Sequence, residues 1–295
     1  ADLLLKGLTV ATGRVGRLRP VLVTAVAYPL SNKIRTGLTL AMFALVIFTL
    51  TVMSILTNIF NTQFNEPDEV LGGWQVDGRV NATTPIEDIL QGIIADPDLR
   101  IEDFEAVGGL TSVGVQARQT AGERQRWDDT HLFAADERYL QSTGFKFELI
   151  ADGYGPTDRD VWQALIDDPG LAVVGGYLVK SDENAQADQE FEPILQDVYY
   201  KDESMSPVEL EVREPKTREV VTLTVIGIMD RLHRNSDSII TSKTVLDDVA
   251  PFPIPITNYR FMLAEGIDPS TVSKGLESAF LEHGMDSVVG EEELE

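Results

Sequence analysis

The chain has no cysteine among its 295 residues. That excludes a disulfide framework, thiolate metal sites and a cysteine nucleophile. Cations are scarce: 24 Lys and Arg stand against 48 Asp and Glu, a formal charge of −24. Recognition of a phosphate backbone needs the opposite excess, so nucleic acid is excluded as a partner. No Gly-Lys dipeptide occurs, hence no Walker A loop, and the GxSxG and SxxK signatures of serine hydrolases are missing too. The three histidines, His131, His233 and His283, lack zinc-motif spacing and read as surface residues. Carboxylate pairs such as Asp128–Asp129, Asp167–Asp168 and Asp247–Asp248 are what so acidic a chain produces by chance. The sequence therefore nominates no catalytic residue, no metal ligand and no cofactor, and the expectation is a protein that is not an enzyme. An acidic run holding Asp182, Glu183, Asn184, Asp188 and Glu190 lacks the glycine of a calcium loop and reads as a solvated loop.

What is present is a sharp segregation of charge. Residues 1–35 hold Lys6, Arg14, Arg17, Arg19, Lys33 and Arg35 against the single acid Asp2. Residues 36–65 hold no charged group, and everything after them is strongly acidic. Within the neutral stretch, residues 38–60 read LTLAMFALVIFTLTVMSILTNIF, without proline or glycine. At about 1.5 Å per residue this run crosses a hydrocarbon core of about 30 Å as a helix. Lipid offers the backbone no partners, so helix is the form such a span must take. Lys33 and Arg35 anchor the near interface, and the excess of cations before the span places residues 1–36 in the cytoplasm and residues 61–295 outside. Gly37, Ala41, Ala44, Thr51 and Asn58 fall on one stripe, interrupted by Phe48 and Ile55. Small residues on one face let membrane helices approach closely, so this stripe is the expected packing face.

Before the span, PVLVTAVAYPL (residues 20–30) is apolar but too short to cross. Behind a basic cluster it suits an interfacial helix on the cytoplasmic leaflet, broken at Pro29. The chain begins with Ala, so it reads as an excerpt of a longer one. Together AVAYPLSNKIRTGLTLAMFALVIFTLTVM, with Asn32, Lys33, Ile34, Arg35, Thr36, Gly37, Leu38 and Thr39 at its centre, resembles the lead-in to a membrane helix of FtsX-like ABC transporter permeases, the group containing MacB and the lipoprotein-release permeases. The resemblance covers about 30 residues. It implies an elbow helix, a membrane helix opening into a large external domain, and further helices after that domain. It also implies an ATP-binding ABC subunit on a separate chain, with other permease helices or a second permease copy as partners in the bilayer.

The region after the span alternates short strands with a few amphipathic helices, an α+β class. One unit is expected as a strand over 74–80, a cap at Thr83 or Thr84 with Pro85 first in the helix, a helix over 86–95 and a strand over 103–107. A second unit repeats that grammar near the end: strand 259–264, a cap at Asp268-Pro269-Ser270, helix 271–283 and strand 286–289. These two form one discontinuous α/β lobe, about 66–109 and 257–295, into which a β-rich lobe of about 110–256 is inserted. Inside the insertion, VELEVR (208–213) and VVTLTVIGIM (220–229) alternate as an antiparallel hairpin. Short helices are expected over 136–142 and 157–166, and LAVVGGYLV (171–179) reads as a buried strand. The two-lobe plan is similar to the periplasmic domain of MacB-type permeases. The functional expectation is a permease segment that transmits ATP-driven motion to external lobes handling a substrate or partner. The competing expectation, from another class, is a single-pass anchored receptor or sensor.

Overall fold

The computed structural model describes residues 33–64, 67–122, 126–180, 194–216, 218–249 and 254–293. The elbow at 20–30 and the acidic run at 181–190 lie outside them. The chain divides into two units, residues 1–65 and 66–295.

In the first unit α1 spans Lys33–Phe64. Three threonines within it are no liability, because each hydroxyl donates back to its own helix. Thr39 bonds the carbonyl of Arg35 at 2.9 Å, Thr49 that of Leu45 at 2.9 Å and Thr51 that of Ile47 at 2.8 Å. Residues Gly37–Leu56 have a mean hydropathy of 2.4 and none is buried. Among the described residues this is the one helix long and apolar enough to cross a membrane.

The second unit is mixed α/β and rich in sheet. Its elements are α2 (Pro67–Leu71), β1 (Val76–Arg79), α3 (Ile89–Ala95), β2 (Phe104–Gln119), β3 (Asp128–Ala135), α4 (Glu137–Ser142), β4 (Phe147–Ile150), α5 (Asp158–Asp167), β5 (Leu171–Gly175), β6 (Val208–Arg213), β7 (Val220–Met229), β8 (Ser238–Ser242), α6 (Thr244–Val249), β9 (Asn258–Leu263), α7 (Pro269–Ala279) and β10 (Asp286–Val289). The strands form one sheet in the order β10-β1-β9-β2-β3-β8-β5-β7-β4. Strand β6 pairs with both β2 and β7, which closes a ring through β2, β3, β8, β5, β7 and β6. Pairing is antiparallel except for β3 with β8 and β5 with β7.

Strand β2 serves two neighbours on one side. Its first half, from Phe104 to Leu110, pairs with β9, and its end, from Gln116 to Gln119, pairs with β6. Two cores follow from that geometry. The larger includes Leu110, Leu132, Trp162, Val173, Leu210, Leu223 and Ile239. The smaller gathers residues from both ends of the domain, among them Val76, Ile89, Ile93, Val107, Phe261, Leu276 and Phe280. The boundary expected at 109–110 falls inside β2, whose two ends belong to different pairings.

Alternation explains β6, where Leu210 and Val212 are buried while Glu209, Glu211 and Arg213 share the other face. Strands β5 and β8 are buried along their whole length and show no alternation. Strand β5 ends at Gly175 and continues as a 3₁₀ turn, Gly176–Leu178, instead of running to 179 as the apolar pattern suggests. A side chain at Gly175 would place its Cβ 2.0 Å from the carbonyl oxygen of Ser236, so backbone approaches backbone there. Helix starts follow cap chemistry. Thr157 and Asp160 form a reciprocal capping box for α5, and Asp268 caps α7 with Pro269 at its first position. Helix α3 begins at Ile89 instead of 86, because Asp88 supplies the cap by accepting from the amides of Leu90 and Gln91.

Candidate functional site

Among the described residues no cluster of three His, Asp or Glu side chains is arranged to hold a metal ion. Three other features bear on function.

The first is the face of α1. At about 100° per residue, Gly37, Ala41, Ala44, Thr51 and Asn58 fall within an arc of about 100°, and Phe48 and Ile55 sit inside the same arc. A Cβ added at Gly37 would meet nothing within 4 Å, and Ala41, Ala44 and Thr51 are exposed. Arg35 is exposed at the helix start, where Lys33 is the first residue.

The second is an ionic clasp. Asp77 on β1 accepts from Arg260 on β9 and from Arg234, which lies in the loop after β7. The three side chains are 14%, 11% and 19% exposed, so the charges are largely withdrawn from water. Burial and the neighbouring Arg260 both hold the Arg234 guanidinium below its usual pKa, while Asp77 pulls it the other way. Beside the clasp, Trp74 stacks on Tyr139 with ring centroids 5.2 Å apart and planes 5° from parallel. Burial pushes the Tyr139 hydroxyl up to about 12. Trp74 belongs to the larger core and Val76, two residues on, to the smaller, so this short segment ties both together.

The same loop carries His233, which is buried (5% exposed), contrary to the surface position expected from sequence. Phe145 lies against its ring at 5.0 Å, and its Nε2 lies 2.8 Å from the amide of Lys146, whose proton it accepts. The same Nε2 also lies 3.1 Å from the carbonyl oxygen of Lys146. Burial lowers the pKa of His233, partly offset by Asp230 and Glu69. The folded state therefore disfavours the charged ring. Its stability contribution is complete above the ordinary histidine pKa of about 6.5 and is lost as pH falls below that through the lower folded-state pKa. We expect urea denaturation of the protein at about pH 5.5 against about pH 7.5 to show a smaller loss of stability in His233→Gln than in the unaltered chain. An equal loss in both would remove His233 from the account.

The third is an open groove of about 690 Å³ between α3 and the end of α7. It exists because the facing positions are small: Gly92 and Ala95 on α3 and Ala279 on α7. Phe280 forms its floor. The ring lies 2.4 Å from where a Cβ on Gly92 would sit, so only glycine allows it against the α3 backbone. The Tyr259 hydroxyl donates to the carbonyl of Ile86 at 3.3 Å, and His283 Nδ1 lies 2.9 Å from the carbonyl of Thr84, fixing the walls. Glu87, Asp88, Asp96 and Glu282 line the rim, and neither lysine nor arginine joins them. The groove leaves no signature in the sequence, because it is assembled from residues nearly 200 positions apart.

No protein-family model matches the chain, and no curated protein does. Solved structures to which the chain is similar include the periplasmic region of MacB from Actinobacillus actinomycetemcomitans, at 14% identity and a TM-score of 0.43, covering 78% of this chain and 95% of that one. Another is the extracellular domain of the noncanonic ABC-type transporter YknZ from Gram-positive bacteria, at 12% identity and a TM-score of 0.37, covering 73% and 98%. At these identities and TM-scores the likenesses carry no argument about this chain.

Proposed function

We propose that this chain is the membrane-entering helix and outward domain of an FtsX/MacB-like ABC transporter permease. Residues 1–36 lie on the cytoplasmic side, residues 37–60 cross the membrane, and residues 61–295 lie outside the cytoplasm. ATP hydrolysis belongs to a partner subunit, whose motion the helix passes to the external domain. The small-residue face of α1 packs on another permease helix or a second copy, and Lys33 and Arg35 hold the near interface. In the external domain the α/β lobe, about 66–109 and 257–295, holds the smaller core, and the β-rich lobe between supplies most of the larger one, to which Trp74 also belongs.

The observation that carries this reading is the 20-residue window of α1, apolar and wholly unburied, which follows the Asn32–Thr39 stretch and precedes an acidic folded domain. A helix with that surface is at rest only in lipid or against other apolar helices. The test is affinity purification of the full-length protein from its own membranes in mild detergent. We expect an ATP-binding-cassette subunit to copurify in fixed ratio. Recovery of the protein without one, from membranes in which such subunits remain intact, would sink the permease assignment. Protease added to intact cells is expected to digest residues 66–295 and spare the leader, and the reverse pattern would invert the orientation.

A further inference from the structure

The groove between α3 and α7 has a chemistry that specifies its occupant. On α3 its wall is the stripe Asp88, Gln91, Gly92, Ala95 and Asp96, spaced three or four apart on one helical face. The floor is apolar, formed by Phe280 with Ala95 and Ala279, and its volume suits several side chains at once. The rim is of a single sign. Between residues 66–109 and 257–295 the cations are Arg79, Arg100, Arg260 and Lys274, and none lines the groove. Arg260 is engaged by Asp77, and Arg100 by Asp103 at 2.6 Å. Two of the rim acids have local duties: Asp88 caps α3, and Asp96 accepts from the amide of Asp98 at 2.9 Å. Glu87 and Glu282 remain as exposed rim charges, with Glu282 at 85% exposure and 3.6 Å from His283.

We propose that this groove docks a cationic, amphipathic polypeptide segment of a partner protein, with apolar side chains on the Phe280 floor and Lys or Arg against Glu87 and Glu282. Each half of the site excludes a different competitor. The acidic rim repels anionic lipid and acidic peptides, and the apolar floor gives a purely cationic chain nothing to bury. The mode is an amphipathic element laid into a groove, read through anchors on one face. The inference rests on the permease reading only for placing the partner outside the cytoplasm.

The experiment uses the full chain in nanodiscs of zwitterionic lipid. The probe is a labelled peptide of about four helical turns, with Leu and Lys alternating at helical spacing. A scrambled peptide of identical composition is the control. We expect the amphipathic peptide to bind about tenfold or more tightly than the scrambled one, and Glu87→Lys with Glu282→Lys to weaken it about tenfold. Asp152→Lys with Glu203→Lys makes the same change in net charge outside the groove and is expected to alter binding less than about twofold. Gln91→Trp, which fills the groove without changing charge, is expected to block binding while leaving the thermal unfolding midpoint in place. If the double reversal fails to fold, Glu87→Gln with Glu282→Gln carries the same expectation at about threefold. Equal binding of the scrambled peptide, or equal loss in the remote pair, would reduce the effect to bulk attraction and overturn the proposal. Concentration-dependent self-association abolished by Gln91→Trp would overturn it as well, by making a second copy the occupant. Copurification without an ATPase leaves these outcomes untouched, so the two readings fail separately.

Discussion

Asp77→Asn is expected to lower the unfolding free energy by about 3–5 kcal/mol, the range for breaking a buried ion pair by removing one partner. The carboxylate of Asp77 is the shared acceptor of Arg234 and Arg260, and all three side chains are at least four-fifths withdrawn from solvent. Asparagine keeps the shape and loses the negative charge that both guanidiniums share. Denaturant titration followed by tryptophan fluorescence reads the change, since Trp74 stands beside the clasp on Tyr139. A single Asp77→Asn change that shifted stability by less than about 1 kcal/mol would show the clasp to be solvated in the way surface pairs are.

The second large effect concerns α1. Ile47→Arg puts a charge at the middle of the apolar window and is expected to disfavour insertion by about 2.5–3.5 kcal/mol, roughly a hundredfold. Deleting residues 37–60 is expected to release the protein entirely from sedimented, carbonate-washed membranes. A deletion variant that still sedimented with membranes would mean that the anchor lies elsewhere, and Ile47→Arg inserting as well as the unaltered chain would mean that α1 does not sit in lipid. Conservative changes on the small face, such as Ala44→Leu, leave insertion intact by the same scale, so packing and partition are separable by experiment.

Local chemistry makes some of the fold legible in the sequence, and long-range pairing hides the rest. Strands β6, β7 and β10 coincide with the expected bounds, because alternation and turn residues mark them without help from partners. The starts of α5 and α7 are visible in Thr157 and in Asp268-Pro269 for the same reason. Strand β2 reads from sequence only as residues 103–107, since Gly108, Gly109 and Gly114 interrupt its pattern. The first of these glycines is there for tight approach: a Cβ on Gly108 would lie 2.7 Å from the backbone of Tyr139. Strands β3, β4 and β8 are absent from the expected pattern. Asp128 and Asp129 disguise the start of β3, and the serines and threonine of β8 are satisfied only by folding, as when Thr241 donates to the carbonyl of Leu171 at 2.8 Å. The burial of His233 is equally invisible, because the amide it accepts from lies 87 positions away. At the candidate sites, the stripe on α1 can be read from spacing alone, whereas the clasp and the groove cannot, being built from distant stretches of the domain.

Strand β2 also has a mechanical consequence. It is covalently continuous through both cores and is flanked by antiparallel partners, whose hydrogen bonds run perpendicular to the chain. A tug along its axis therefore strains those bonds in shear, many together, instead of peeling them one at a time. Strand β2 thus joins the two cores as a taut tie rod.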